Sequence, residues 1–266
     1  MKINNMRKDG HVHSPYCPHG SNDSFEMYVE KAIKEGLNEI SFTEHMPFPL
    51  YFMEDREFLD ECSPKNEMIE KYFNDLETIK EKYKNIIKIN RGLEVDFIDG
   101  YEEKTKELLN LYGSKLDDSL LSVHFINIGN EYCDIDGKNG FSKAVQALGS
   151  VEKVYDKYYE TLLKAIKSDL GKFKPKRIGH PNLIRIFNKI YPIEYKNIDL
   201  LENIVIQLKA RDYEVDVNTA GLRKEYCGEI YVSDIFKELV EQYEVRKVYG
   251  SDAHIASDVG RFFNKA

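Results

Sequence analysis

Two spacings of apolar residues alternate along the chain. Short apolar runs of strand type are separated by longer segments in which apolar residues recur every third or fourth position. That second spacing places apolar side chains on one face of a helix. Within residues 24–35, for example, Phe25, Tyr28 and Ala32 share a face, and Gly36 follows as a stop signal. The pattern therefore predicts strands that alternate with amphipathic helices.

Seven strands are predicted, and each is followed by a helix or a loop. The strands cover residues 7–13, 39–43, 86–94, 120–125, 176–179, 214–218 and 247–250. The helices cover residues 24–35, 63–83, 101–112, 151–170, 198–211 and 232–243, with one more around Ile184 and Phe187. Ser63-Pro64 supplies a start signal for the second helix, while residues 46–62 and 129–140 are predicted as loops.

This order of elements suits right-handed crossovers and a parallel sheet. We expect an α/β fold with a single domain over residues 1–266, in the form of a distorted (β/α)7 TIM-like barrel. A doubly wound open sheet is the structural alternative. No GxGxxG motif follows the first strand, which weakens a nucleotide-binding version of that alternative.

Composition excludes some classes of partner. The formal net charge is −8 and no stripe of Lys and Arg is present, so a general nucleic-acid or membrane surface is not expected. A small phosphorylated substrate needs only local positive charge and stays open. There is no apolar run of membrane length, and the first residues lack the apolar core of a signal peptide. The four cysteines lie far apart with no CxxC, so we expect reduced thiols and a cytoplasmic location. We also expect a monomer or homodimer.

The histidines carry the candidate chemistry, because each lies at or just after the carboxyl end of a predicted strand. The set is His11, His13, His19, His45, His124, His180 and His254, and two acids, Glu94 and Asp252, close strands of the same series. Active sites of barrels and open parallel sheets form at those ends. His11 and His13 lie two residues apart on a strand, so they point to the same side.

Nine nitrogen and oxygen ligands at one mouth are too many for one metal ion. A zinc site takes three or four protein ligands, so the set suits two or three divalent ions. No thiolate is required, and Zn, Fe and Mn are all compatible with these ligands. Cys17 is either a tenth ligand or a small buried thiol.

The order of these motifs resembles the PHP (polymerase and histidinol phosphatase) superfamily, and within it the monofunctional histidinol-phosphate phosphatases. The motifs that carry the resemblance are Asp9-Gly10-His11-Val12-His13-Ser14, Cys17-Pro18-His19-Gly20, Phe42-Thr43-Glu44-His45-Met46-Pro47, Gly92-Leu93-Glu94-Val95-Asp96, Ser122-Val123-His124-Phe125, Ile178-Gly179-His180-Pro181, Asn218-Thr219-Ala220-Gly221-Leu222-Arg223 and Gly250-Ser251-Asp252-Ala253-His254. They span nearly the whole chain. The resemblance implies a distorted (β/α)7 barrel.

The resemblance also implies how the ligands divide among metals. One ion is held by His11, His13, Glu94 and Asp252; Glu94 bridges to a second held by His124 and His180; and His19, His45 and His254 hold a third. It further implies metal-dependent hydrolysis of a phosphate monoester, with L-histidinol phosphate giving L-histidinol and phosphate in histidine biosynthesis. Clustered divalent ions can neutralise phosphoryl oxygens, activate water and stabilise the leaving oxygen.

Two arginines are the expected phosphate contacts, because the planar guanidinium binds phosphate bidentately. Arg223 follows the sixth predicted strand, whose end supplies no metal ligand, and Arg185 follows His180 by five residues. In the resembling phosphatases, arginines in these two motifs contact the phosphate. His45 is also expected to contact the substrate.

Several roles stay open at this point. The general acid is a metal-bound water or a ligand such as Asp252 or His254. Glu44 and Asp96 either meet a cationic amine of the substrate or orient histidines. The segment 46–62 either covers the site or packs on the surface.

Two alternative functions remain. One is a PHP-type phosphoesterase that acts on a nucleotide, a nucleic-acid end or phosphotyrosine. The other is a non-catalytic metal-binding module, against which the complete ligand set and Arg223 argue.

Overall fold

Seven parallel strands form a barrel at the centre of the computed structural model, which describes residues 8–129 and 131–266. The strands of the chain are β1 (Lys8–Val12), β2 (Glu39–His45), β3 (Lys88–Asp96), β4 (Asp118–Ser122), β5 (Phe125–Ile128), β6 (Glu131–Asp134), β7 (Arg177–Ile178), β8 (Glu214–Asn218) and β9 (Arg246–Gly250). The barrel order is β1-β2-β3-β4-β7-β8-β9, and β5 and β6 form a separate antiparallel hairpin. The expected (β/α)7 architecture is confirmed.

The barrel closes where β1 meets the end of β9. Val12 forms an isolated parallel bridge with Ala253, and the backbone N–H of Asp252 donates to the carbonyl of His11 at 2.7 Å. The N–H of His13 donates to the carbonyl of Ala253 at 3.0 Å. Pairing at this seam is thus much shorter than the seven-residue register between β2 and β3.

Helices surround the barrel and bury their apolar faces against it. They are α1 (Phe25–Lys34), α2 (Arg56–Cys62), α3 (Asn66–Tyr83), α4 (Glu102–Tyr112), α5 (Lys138–Leu148), α6 (Val151–Lys167), α7 (Ile198–Ala210) and α8 (Asp234–Gln242). The buried hydroxyl of Tyr72 on α3 donates to the carbonyls of Phe42 and Gly92, at 2.9 and 3.0 Å. Gly92 is required there, because an added Cβ would lie 2.5 Å from the carbonyl oxygen of Asp118.

A polar network closes the amino end of the barrel, which we call the floor; it comprises Lys8, Glu39, Ser41, Asn90, Asp118 and Arg177. Asp118 is its centre and accepts from Arg177 at 3.0 Å, Lys8 at 2.9 Å and Ser41 at 2.6 Å. Asn90 donates to Glu39 at 2.7 Å. The floor therefore neutralises its charges internally.

Two of the strands extend further towards the mouth than their apolar runs suggested, while β1 and β4 end earlier, at Val12 and Ser122. β2 and β3 continue to His45 and Asp96, because the parallel register pairs His45 with Glu94 and Asp96 with Ser122. β7 is only two residues long, and the helix predicted around Ile184 is the 3-10 helix Leu183–Phe187. Arg7, predicted at the start of the first strand, lies outside the described residues.

Three predictions of local structure were wrong. The segment 46–62 contains α2, and the following helix begins at Asn66 rather than at Ser63, whose hydroxyl instead donates to the carbonyl of Met46 at 3.2 Å. The segment 129–140 contains β6 and the start of α5 rather than only a loop. α5 has Gly137 as its N-cap and no side-chain cap, so it lacks the usual start signal.

The segment 46–62 packs as a layer of aromatic side chains against the hairpin. Phe52 lies 5.3 Å from Phe125 and 5.3 Å from Tyr132, measured between ring centroids. Of the two interpretations left open, a packed segment agrees with the structure. Among the residues described, no helix combines the length and the apolar character needed to cross a bilayer.

Candidate metal centre

A pocket of about 420 Å³ opens at the carboxyl ends of the barrel strands. Eight of the nine predicted metal ligands line it: His13, His19, His45, Glu94, His124, His180, Asp252 and His254. His11 is fully buried directly beneath them. The structure thus brings together every residue that was predicted as a ligand, from strands and loops spread over the whole chain.

Glu94 lies at the centre and faces two groups of histidines with its two oxygens. Its Oε2 lies 3.3 Å from Nε2 of His11 and 3.4 Å from Nε2 of His13. Its Oε1 lies 2.9 Å from Nε2 of His180 and 3.8 Å from Nε2 of His124. A carboxylate in this position can bridge two cations, one on each side.

Asp252 adds a second carboxylate on the Oε2 side. Its Oδ1 lies 3.2 Å from Nε2 of His13 and 3.8 Å from Nε2 of His11. Both Asp252 and His180 have positive φ, at 53° and 25°. Non-glycine residues adopt that conformation rarely, and such strain is concentrated at functional sites.

The remaining histidines form a third group towards the outside. Nε2 of His19 lies 3.0 Å from Nε2 of His254, and the ring centroids of His19 and His45 are 5.2 Å apart. Ligand atoms of His13, Cys17, His45 and His254 also lie within 4.8 Å of one another. Burial raises the pKa of the Cys17 thiol, and both interpretations of Cys17, a tenth ligand and a small buried thiol, remain predictions.

Buried polar atoms without partners test whether metal ions fit. Among the described residues, both ring nitrogens of His45, Nε2 of His13 and Nδ1 of His180 have no hydrogen-bond partner. An unpaired buried polar atom costs free energy, so a cluster of them needs a ligand. Imidazole nitrogens and carboxylate oxygens suit divalent ions such as Zn, Fe or Mn. The donor set therefore fits a metal cluster.

Carboxylates behind the histidines fix the direction of the rings. Nδ1 of His11 lies 2.7 Å from Asp216, and Nδ1 of His124 lies 2.7 Å from Asp96. Each carboxylate accepts a hydrogen bond on the far side of its ring and turns Nε2 towards Glu94, as partners of metal-binding histidines do.

Glu44 lies behind the ring of His13, as Asp216 and Asp96 lie behind the rings of His11 and His124. It accepts from the backbone N–H and the hydroxyl of Ser14, at 2.9 and 2.5 Å, and lies 3.5 Å from Nδ1 of His13. Glu44 and Asp96 therefore orient histidines, and neither is free to meet a substrate amine. Asp216 was not predicted as a site residue, because its role depends on a contact with His11 that is distant in the sequence.

Electrostatics separates His11 from His45 and His254. Burial lowers the pKa of His11, but Glu94, Asp252 and Asp216 outweigh it and raise the pKa to about 10. Burial, with help from His13, holds the pKa of His45 and His254 well below its usual range. A metal ion that binds His11 must displace a proton from its ring, whereas the rings of His45 and His254 are already neutral.

Arg223 lies on the pocket wall, and some of the N–H groups of its guanidinium already donate hydrogen bonds to the protein. Its two terminal nitrogens donate to the carbonyls of Ser251 and Asp252, at 3.0 and 3.1 Å, and Nε pairs with Asp258 at 3.0 Å. Each terminal nitrogen carries a second N–H, so two donors remain for an anion. Asp258 was not found from the sequence.

Arg185 is the one predicted site residue that the structure does not bring to the pocket. Its Nε and one terminal nitrogen bind Glu229 bidentately at 2.6 and 2.9 Å, and the other terminal nitrogen lies 3.4 Å from Asp234. A phosphate contact by Arg185 would need the guanidinium to turn away from these carboxylates, and this contact stays a prediction.

Comparison with known proteins gives a consistent result. The sequence profile of the PHP domain matches residues 9–220. The histidinol-phosphatase of Bacillus subtilis (strain 168) is 39% identical over 258 residues, which is 96% of each chain. Among solved structures, hisK from Listeria monocytogenes has a TM-score of 0.93 at 36% identity, covering 97% of this chain and 99% of that one.

A more distant structure shares the fold. The histidinol phosphate phosphatase of Lactococcus lactis subsp. lactis Il1403, solved with Zn, L-histidinol and phosphate, has a TM-score of 0.71 at 21% identity and covers 94% of this chain and 87% of that one. The profile match over most of the barrel and the near full-length identity to the Bacillus subtilis protein show that this chain belongs to the PHP domain family.

Proposed function

We propose that the protein is a metal-dependent histidinol-phosphatase, which hydrolyses L-histidinol phosphate to L-histidinol and phosphate in histidine biosynthesis. The observation that carries the proposal is the position of Glu94, whose two oxygens face two separate groups of histidines in one pocket. The reaction and substrate are those named for the Bacillus subtilis relative, which aligns with nearly the whole chain. Residues 1–266 would act as a single catalytic domain.

The ligands would divide among three ions. His11, His13, Glu94 and Asp252 would hold the first. Glu94, His124 and His180 would hold the second, and their ligand atoms lie within 4.8 Å of one another. His19, His45 and His254 would hold the third, supported by the 3.0 Å separation of Nε2 atoms in His19 and His254. Zinc is the first ion to test, since the Lactococcus lactis structure contains it.

The ions, when bound, would supply the charge that neutralises the phosphate and activates water. The protein's own groups do the rest. Arg223 would direct its two remaining N–H donors at phosphate oxygens, held in place by the carbonyls of Ser251 and Asp252. Asp216, Asp96 and Glu44 would keep the histidine rings in their binding orientation.

A proton must reach the leaving oxygen of L-histidinol. Asp252 and His254 line the pocket, but the pKa of each is held well below its usual range, so either would first have to take up a proton before it could donate one. Water at the metal ions is the other proposed source of this proton. His45 lines the pocket beside Asp252 and His254 and is proposed to contact substrate as well as metal. The protein would act on free small molecules in the cytoplasm, in keeping with the four cysteines that are all free in the structure. A monomer or homodimer is the oligomeric state that we propose.

Phosphate release from L-histidinol phosphate tests the proposal. We expect turnover with Zn, Fe or Mn, its loss on chelation and its return when metal is restored. A panel of a nucleotide, a DNA 3′-phosphate and phosphotyrosine separates the alternatives, and L-histidinol phosphate should have the highest kcat/KM. Turnover that persists without metal, or a better substrate in the panel, would contradict the proposal. Full metal content with no turnover on any ester would favour a non-catalytic module.

A further inference from the structure

The rim of the metal pocket changes in charge from one side to the other. Beyond the proposed metal ligands, the pocket lining includes Asp136 after the β5–β6 hairpin, Leu183 and Ile186 after β7, and Arg223 and Lys224 after β8. The hairpin follows β4, and β4, β7 and β8 are consecutive in the barrel. The rim therefore runs from an acid, across an apolar wall, to two cations.

Asp136 is close enough to act electrostatically on His124, but no cationic side chain of the described residues pairs with it directly. Its side chain is exposed, and within residues 8–129 and 131–266 it makes no hydrogen bond or ion pair. The nearby lysines point elsewhere: Nζ of Lys143 pairs with Glu131 at 2.7 Å, and Nζ of Lys138 lies 5.3 Å above the ring of Tyr226. A carboxylate in this state is available to a cation that enters the pocket.

The other acids of the pocket are already engaged. Asp258 binds Arg223 at 3.0 Å and Arg261 at 2.6 Å. Asp96 is almost fully buried behind His124. The two proposed metal-binding acids face histidines. Of the described carboxylates that line this pocket, Asp136 is the one left without a partner.

We propose that Asp136 is a specificity-determining residue, which binds the ammonium group of the substrate while Arg223 and Lys224 lie on the phosphate side. The inference rests on the proposed function. L-histidinol phosphate carries its ammonium on the carbon next to the ester CH2, so both charges must be met within one small pocket. Leu183 and Ile186, between the acid and the cations, offer an apolar surface to the rest of the substrate.

Two esters that differ only in the ammonium group test this assignment. They are L-histidinol phosphate and its deamino analogue, 3-(imidazol-4-yl)propyl phosphate. We expect Asp136→Asn to lower kcat/KM for L-histidinol phosphate by about 10-fold, mainly through KM, because it removes a charge-assisted contact. The same variant should change kcat/KM for the deamino analogue by less than about twofold, since that ester has no cation to lose.

Two further variants serve as controls. Asp136→Glu keeps the charge and should restore most of the preference for the amine. Glu131→Gln removes a charge from the same hairpin outside this pocket and should leave both esters unaffected. Equal losses on both esters in Asp136→Asn, or no loss on either, would overturn the assignment.

Failure of the proposed function would give a different pattern. The metal-loaded wild-type protein would then turn over neither imidazole ester while hydrolysing other monoesters. The same comparison would be made with phosphoethanolamine and ethyl phosphate, which also differ in an ammonium group. An unchanged preference between those two esters in Asp136→Asn would overturn the assignment independently, and a reduced preference would support it.

Discussion

The two ends of the barrel bury polar side chains in opposite ways. At the floor, Asp118 accepts from Arg177, Lys8 and Ser41, and charges of both signs are paired. At the mouth, buried carboxylates and histidines surround Glu94, and several ring nitrogens have no partner among the described residues. The charges of the floor pair with one another, although Nε of Arg177 has no hydrogen-bond partner. At the mouth the unpaired ring nitrogens and the carboxylates fit a bound cation, and that difference separates the part that stabilises the fold from the part that binds ligands.

The variant Glu94→Gln should have the largest effect, because it removes the charge shared by the two groups of histidines. We expect the loss of bound metal and a fall in kcat of roughly 1,000-fold or more. Metal analysis and steady-state kinetics on the same sample measure both. Folding should be retained, as monitored by circular dichroism, and normal metal content in this variant would contradict the central place given to Glu94.

The variant Asp216→Asn should have a smaller effect at the mouth, since Asp216 acts through His11. The amide no longer matches the Nδ1–H of His11 as a charged acceptor, so the ring is held less firmly. We expect metal affinity or activity to fall by about 10- to 100-fold. Titration with a competing chelator measures the affinity. Unchanged affinity would show that the ring is fixed by packing alone.

The variant Asp118→Asn should affect stability and leave the mouth intact. Burial would raise the pKa of Asp118, but Arg177 and Lys8 outweigh it and lower the pKa to about 2. Because the folded pKa lies below the unfolded value, the carboxylate stabilises the fold above about pH 4 and loses that effect as the pH falls through 2. We expect the variant to lose about 2 kcal/mol of unfolding free energy at pH 7.

Urea unfolding at several pH values checks this prediction. The difference between wild type and Asp118→Asn should shrink as the pH falls from 4 towards 2, while metal content at pH 7 stays the same. A loss of metal in this variant would mean that the two ends of the barrel are not independent.

The variant Tyr72→Phe should have the smallest effect, because it removes one hydroxyl between α3 and the barrel wall. Two backbone carbonyls lose a donor, and we expect a loss of about 1 kcal/mol in unfolding free energy with unchanged kcat/KM. A change in activity would show that the outer helix layer communicates with the mouth.

The barrel and the nine residues of the mouth could be predicted from the sequence because both depend on a repeated signal. Each strand has a local apolar pattern, and each histidine follows a strand end. The hairpin and α5 were missed because β6 is only Glu131–Asp134 and α5 begins without a capping side chain. Their stability comes from tertiary packing, which the local pattern does not record.

Contacts between distant residues could not be predicted from the local pattern. Asp216 acquires its role only by meeting His11, 205 residues away in the sequence. The guanidinium of Arg185 pairs with Glu229, 44 residues away, and this pairing was not predicted from the sequence. A pattern of residue types can predict which side chains lie at the mouth. It predicts less readily which of those side chains already pair with another residue of the protein.

The seam between β1 and β9 has a consequence for what keeps the barrel closed. Ser251 donates to Asp9 across a sequence separation of 242 residues, and the backbone there pairs through only a short stretch. Closing so long a loop is entropically costly and gains little from the ladder itself. His11 and His13 lie on one side of this seam and Asp252 and His254 on the other. A cation bound by both sides would therefore act as a cross-link that holds the cylinder shut, and its removal should first be detected as faster hydrogen exchange along β1.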